Sequence, residues 1–131
     1  MNILIVDDET DVEILFRQKF RKEIKSGMMT LSFAFSGQEA LDFLGQDNPP
    51  LVVYVFSDIN MPGMTGLELL KKIKERYPQI NVSMISAYGD SENYEKAIDS
   101  GAKEFFTKPI DFDFLKNEIQ DLMAKHKSNK Q

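Results

Sequence analysis

Short apolar runs alternate with amphipathic segments along the whole of this chain, and that alternation restricts the fold more than any other feature. The runs at residues 2–6, 30–35, 51–57, 81–86 and 103–107 read as strands. Helical periodicity follows each one, at about 11–24, from Ser36 through Leu44, and at about 66–77, 91–100 and 112–125. Five strands and five helices in strict order predict an α/β fold on a parallel sheet, a (βα)5 arrangement. Thr10-x-x-Glu13 and Ser36-x-x-Glu39 have the form of capping boxes, and Asp111 caps the last helix. Asn48-Pro49-Pro50, Pro78 and Gly101 mark stops. The expected buried stripes are Val12, Leu15, Phe16, Phe20 and Ile24 on the first helix, and Ala40, Leu41 and Leu44 on the second. Leu67, Leu70, Ile73 and Tyr77 serve the third, Tyr94, Ala97 and Ile98 the fourth, and Leu115, Ile119, Leu122 and Met123 the last. Residues 1–124 are expected to form one domain, with 125–131 a disordered basic tail or the start of a linker.

Bulk properties narrow the function. A chain of 131 residues suffices for one core without cross-links. The absence of cysteine excludes disulfides and thiol chemistry and suits a reducing compartment; a cytoplasmic location is expected. A net charge of −5 argues against direct nucleic-acid binding and favours protein partners. No stretch approaches the ~18 apolar residues of a membrane span.

The chemistry lies where the apolar runs end. Ile3-Leu4-Ile5-Val6 meets Asp7-Asp8, and the run from Leu51 to Phe56 meets Ser57-Asp58. Carboxylates gathered at one place repel and raise one another's pKa, unless a cation shares the site. Hard oxygen ligands with room for phosphate suit Mg2+. In open α/β sheets, ligands bind outside the carboxyl ends of the strands. If the first and third strands are neighbours, Asp7, Asp8 and Asp58 meet there, and Ser86 and Lys108 end the fourth and fifth strands at the same rim. Taken singly, each has a plainer reading. Asp7-Asp8 is an acidic helix start, Asp58 a turn former, Lys108 a solvated lysine, Ser86 a small residue at a crowded strand end and Phe105 a core aromatic. The constellation points to a magnesium-assisted phosphoryl site. His126 stands alone near a basic tail and is assigned no role.

Four segments in this order resemble the receiver domain of two-component response regulators (the CheY-like family). They are Val6-Asp7-Asp8-Glu9, the stretch from Ser57-Asp58-Ile59-Asn60 to Gly66, the dipeptide Ser86-Ala87, and the stretch from Gly101 to Lys108-Pro109. The resemblance runs from Asn2 to about Met123. It implies a flavodoxin-like, doubly wound sheet of order 2-1-3-4-5, with Asp58 as phosphoacceptor for a histidine kinase or histidine phosphotransfer protein. Asp8 would hold Mg2+ directly and Asp7 largely through water, with Asp58 and the backbone carbonyl of Asn60 completing the protein ligands. Lys108 would contact a phosphoryl oxygen, and the Lys108-Pro109 bond would be cis. Ser86 and Phe105 would be the switch pair, acting on the face made by the fourth helix, fifth strand and last helix. Asn60 and Tyr88 flank the site at positions that, by the resemblance, would tune hydrolysis.

Two departures from the family pattern stand out: Ser86 where threonine is commoner, and Phe105 where tyrosine is. The implied partners are a downstream protein or a fused output domain, and a phosphorylation-dependent dimer is allowed. Enzyme-like activity would be limited to self-phosphorylation and autodephosphorylation. The competing reading is a Mg2+ phosphatase or phosphotransferase of the haloacid dehalogenase type. Those enzymes place a second aspartate two residues after the nucleophile as acid and base, and here that position is Asn60, which cannot transfer protons.

Overall fold

A computed structural model of the protein describes residues 1–46, 51–87 and 91–129. The elements are β1 (Asn2–Val6), α1 (Thr10–Lys19), α2 (Arg21–Lys25), β2 (Thr30–Ala34), α3 (Gly37–Leu44), β3 (Val52–Asp58), α4 (Gly66–Arg76), β4 (Asn81–Ser86), α5 (Ser91–Asp99), β5 (Phe105–Thr107) and α6 (Phe112–Asn129). The five strands form one parallel sheet in the order β2-β1-β3-β4-β5. Parallel strands need crossover connections, and the amphipathic segments provide them.

The sheet is covered on both faces, which is why the central strands β1 and β3 are near-continuous apolar runs rather than alternating. One face meets α3, α4 and α5 through residues such as Leu41, Leu69, Leu70, Ile73 and Ala97. The other meets α1 and α6 through Phe16, Phe20, Leu115 and Ile119.

Several expectations are corrected. The first helix is kinked rather than continuous: Phe20 leaves helical geometry (φ −107°, ψ 20°) as its buried ring settles among Phe16 and Phe112. The hydrogen-bond ladder still crosses the kink, with Phe20 N–H donating to Phe16 O (3.0 Å) and Ile24 N–H to Phe20 O (2.9 Å). Thr10 is the first helical residue and caps nothing; Glu9 holds the cap position, and its N–H donates to Asp7 Oδ1 at 2.9 Å. Leu15, Tyr94 and Ile98 are not core residues, being 40%, 50% and 39% exposed. Leu69, by contrast, is fully buried. The last helix runs to Asn129 rather than stopping near 125, since no glycine or proline follows Pro109 to end it. The Asn48-Pro49-Pro50 break and Tyr88 lie outside the described residues.

Ser36 does cap α3, its hydroxyl accepting from Glu39 N–H at 3.1 Å. The complete capping box is at α4, where Thr65 Oγ1 accepts from Glu68 N–H (3.2 Å) and Glu68 Oε1 accepts from Thr65 N–H (3.4 Å). Thr65→Ala is therefore expected to cost about 1 kcal/mol in urea unfolding. An unchanged midpoint would show that the cap adds nothing.

Candidate functional site

The site follows from strand order. With β1 and β3 adjacent, Val6 pairs with Ser57, so Asp7 and Asp58 emerge side by side at the next step. Asp7 and Asp58 are buried and Asp8 is exposed, and a carboxylate oxygen from each lies within 4.8 Å of the other two. β5 delivers Lys108 to the same rim, its Nζ 3.3 Å from Asp7 Oδ2 and 3.8 Å from Asp58 Oδ1.

Three carboxylates facing one ammonium leave the site with an excess of negative charge. Burial, and then the charge of Asp7, push Asp58 from its ordinary 3.8 up to about 6, with Asp8 adding to the effect and Lys108 opposing it. Burial on its own would lower Lys108, but Asp58 and Asp7 outweigh it and hold the ammonium above its usual value. The donor set is all carboxylate oxygen, and the geometry is convergent. It fits a hard divalent cation such as Mg2+.

The surrounding backbone is tightly laced. Ile59 N–H donates to Ile85 O (3.0 Å), and Lys108 N–H donates to Ser86 O (2.7 Å). Ser86 is buried at the end of β4, opposite Thr107. The Lys108-Pro109 peptide bond is cis, as the resemblance implies. Phe105 is half-buried on the α5 side of the sheet, edge-on to Tyr94 at 5.6 Å. Asn60 is exposed just beyond Ile59.

The loop after Asp58 turns through Gly63 (φ 76°), and Gly66 N–H returns to Ile59 O at 2.9 Å. In the sequence Gly66 reads as a turn residue, a helix start and the end of a segment that carries the resemblance; the structure adds a steric duty. A Cβ there would sit 2.1 Å from the Asp58 carbonyl oxygen. No sequence signal separates that glycine from an ordinary helix-starting one, because the atoms it must avoid lie eight residues back on another element.

Residues 3–120 match the sequence profile of the response regulator receiver domain. This chain belongs to that family. The receiver is 38% identical over 124 residues to sporulation initiation phosphotransferase F of Bacillus subtilis (strain 168), spanning 95% of this chain and 91% of that protein. It is 31% identical to the DNA-binding transcriptional regulator NtrC of Proteus hauseri, covering 99% of this chain but only 26% of that longer protein. Among solved structures it resembles a CheY-like receiver from Methanospirillum hungatei JF-1 (TM-score 0.83, 26% identity, 98% and 97% of the two chains). It also resembles the response regulator TrrA of Thermotoga maritima, solved in complex with Mg2+ and BeF (TM-score 0.75, 28% identity, 92% and 97% covered). The receiver is thus a signalling module of two-component systems, with the flavodoxin-like architecture expected from its sequence. Among its described residues no helix is long and apolar enough to cross a membrane.

Proposed function

We propose that this receiver accepts a phosphoryl group on Asp58 from a histidine kinase or histidine phosphotransfer protein. The observation that carries this reading is the convergence of Asp7, Asp8 and Asp58 with Lys108 at one end of the sheet. In the transfer an Asp58 oxygen attacks phosphorus while the bond from phosphorus to the donor's imidazole nitrogen breaks. The product is an aspartyl phosphate, and the imidazole leaves with the bonding pair. Such transfers need positioning and charge neutralisation more than covalent help. Lys108, whose Nζ lies 3.8 Å from Asp58 Oδ1, would meet a phosphoryl oxygen. Asp7, Asp8, Asp58 and the Asn60 carbonyl would hold Mg2+, which when bound supplies further positive charge for the phosphoryl oxygens. The later return of phosphate to water makes the module self-limiting, with no outside substrate turned over.

The donor has a surface to approach. An apolar groove of about 390 Å3 runs beside the site, lined by Val12, Leu15, Ile110 and Phe112 and rimmed by Glu9 and Lys108. On the output side, Ser86 would turn toward the phosphoryl group and Phe105 inward, altering the α5–β5–α6 face. Inverting a 1:99 equilibrium requires about 5.5 kcal/mol of preference for the active state, within reach of a few charge-assisted hydrogen bonds and metal contacts. The listener is a downstream protein, a fused output segment or a second copy of the chain.

Intact-mass analysis after incubation with acetyl phosphate tests the proposal. One added phosphoryl group is expected on the wild type with Mg2+, and none with chelator or in Asp58→Asn. An adduct of equal yield on Asp58→Asn would move the acceptor elsewhere.

A further inference from the structure

Two central strands carry hydroxyls in a layer that is otherwise apolar. Tyr54 of β3 and Ser83 of β4 are fully buried, on the face shared with Ile3, Ile5, Phe56 and Ile85. Their hydroxyls hydrogen-bond to each other, and the Tyr54 ring stacks on Phe56 with centroids 4.2 Å apart. A pair like this adds little net stability, since each hydroxyl must first be stripped of water. Its local consequence is more specific.

Ser83 Oγ also accepts from Glu104 N–H at 3.1 Å. That donor has lost its place in the sheet. β4 and β5 pair Met84 with Phe105, and Met84 N–H donates to Glu104 O at 3.0 Å. In an unbroken parallel ladder of that register, Val82 O would accept from Glu104 N–H. Instead Lys103 N–H takes Val82 O at 2.7 Å, and Lys103 Nζ is tied to Glu118 of α6 at 2.8 Å. The chain slips by one residue where β5 begins, and the Ser83 hydroxyl takes up the amide this displaces. The next residue is Phe105.

We infer that the Tyr54–Ser83 hydroxyl pair is a positioning element for the switch: it holds Glu104 out of ladder register, fixes the backbone that carries the Phe105 ring, and favours the unphosphorylated arrangement. The inference rests on the receiver reading above, in which Ser86, three residues along the same strand, is drawn toward the phosphoryl group. If that draw shifts β4 toward β3, it shifts it away from β5 on the other side and would lengthen the Ser83–Glu104 hydrogen bond, so the pair would weigh against switching. Neither residue touches the reacting atoms. Both act through the backbone of β5.

Calorimetric titration with beryllofluoride in saturating Mg2+ tests this, beside a titration with Mg2+ alone. Ser83→Ala is expected to bind beryllofluoride about three- to tenfold more tightly than wild type, with Mg2+ affinity unchanged. Tyr54→Phe is expected to shift in the same direction by less, since Ser83 keeps its bond to Glu104. Amide exchange at Glu104 in the free protein, faster in Ser83→Ala, reads the positioning without reference to phosphorylation. Unchanged beryllofluoride affinity in both variants overturns the inference, as does a matching change in Mg2+ affinity, which marks a merely structural pair. If Ser83→Ala does not fold, Tyr54→Phe decides the matter alone. A wild type that binds Mg2+ but ignores beryllofluoride overturns the receiver reading, and the switch role with it.

Discussion

Gly66→Ala is expected to lower stability by about 3 kcal/mol and the melting temperature by roughly 10 °C. The cause is a collision with backbone. The added Cβ would lie 2.1 Å from Asp58 O, 2.9 Å from Asp58 C and 2.8 Å from Ile59 Cα, none of which can rotate away as a side chain can. Relief requires that α4 lift from the end of β3 or that the Asp58 peptide tilt. Either displaces the Asp58 carboxylate, the proposed phosphoacceptor, so on that proposal phosphoryl incorporation from acetyl phosphate is expected to fall along with stability. Gly63→Ala disturbs the same loop differently, by straining a left-handed backbone with open space around it. Differential scanning calorimetry in chelator compares the two variants. A melting temperature for Gly66→Ala within a degree of wild type would show that α4 yields freely, and would sink the steric argument.

Asp58→Asn is expected to raise the melting temperature of the metal-free protein by roughly 5–10 °C. Asp58 is held at about 6 against an ordinary 3.8, chiefly by burial and the charge of Asp7, so its ionised form is disfavoured by folding. Two units correspond to about 3 kcal/mol at most, and water and relaxation at the rim bring this to about 1–3 kcal/mol. The sign follows from proton counting. Between about pH 4 and 6 the native state holds more protons at Asp58 than the unfolded chain does, so stability falls as pH rises through that window. Above it the penalty is complete. In Asp58→Asn this contribution to the pH dependence should vanish, while Mg2+ affinity is expected to drop because a proposed ligand is lost. Melting curves in chelator from pH 4 to 8 measure both effects. A metal-free melting temperature at or below wild type at pH 8 would contradict the charge argument.

Asp7→Asn looks equivalent on the sequence, where two acids face the same cluster, and the same stabilisation would be expected of it. The structure separates them. Asp7 accepts from Glu9 N–H at 2.9 Å and meets Lys108 at 3.3 Å, so neutralising it also removes favourable contacts. The relief is therefore concentrated at Asp58.

Much of the site was readable from local pattern. Asp7, Asp8, Asp58, Ser86 and Lys108 each end an apolar run, and run length alone sends those ends to one rim once the sheet is parallel. The α/β class, the five strands and the acid-rich rim were therefore determined by the sequence itself. They depend on hydrophobic period and chain direction, which are local properties. What tertiary structure alone decided are the relations between residues far apart in the chain. The kink at Phe20 arises where ring packing against α6 overrides helix continuity. Leu15 and Tyr94, apolar and in phase, are nonetheless left 40% and 50% exposed in the assembled fold. β5 begins at Phe105 rather than 103 because Lys103 N–H is captured by Val82 O and Ser83 claims the amide at Glu104. Gly66 must be glycine because the Asp58 carbonyl lies against it. Periodicity states which way a side chain faces; only the assembled fold determines which atoms it meets there, because close packing brings together groups that the chain keeps apart.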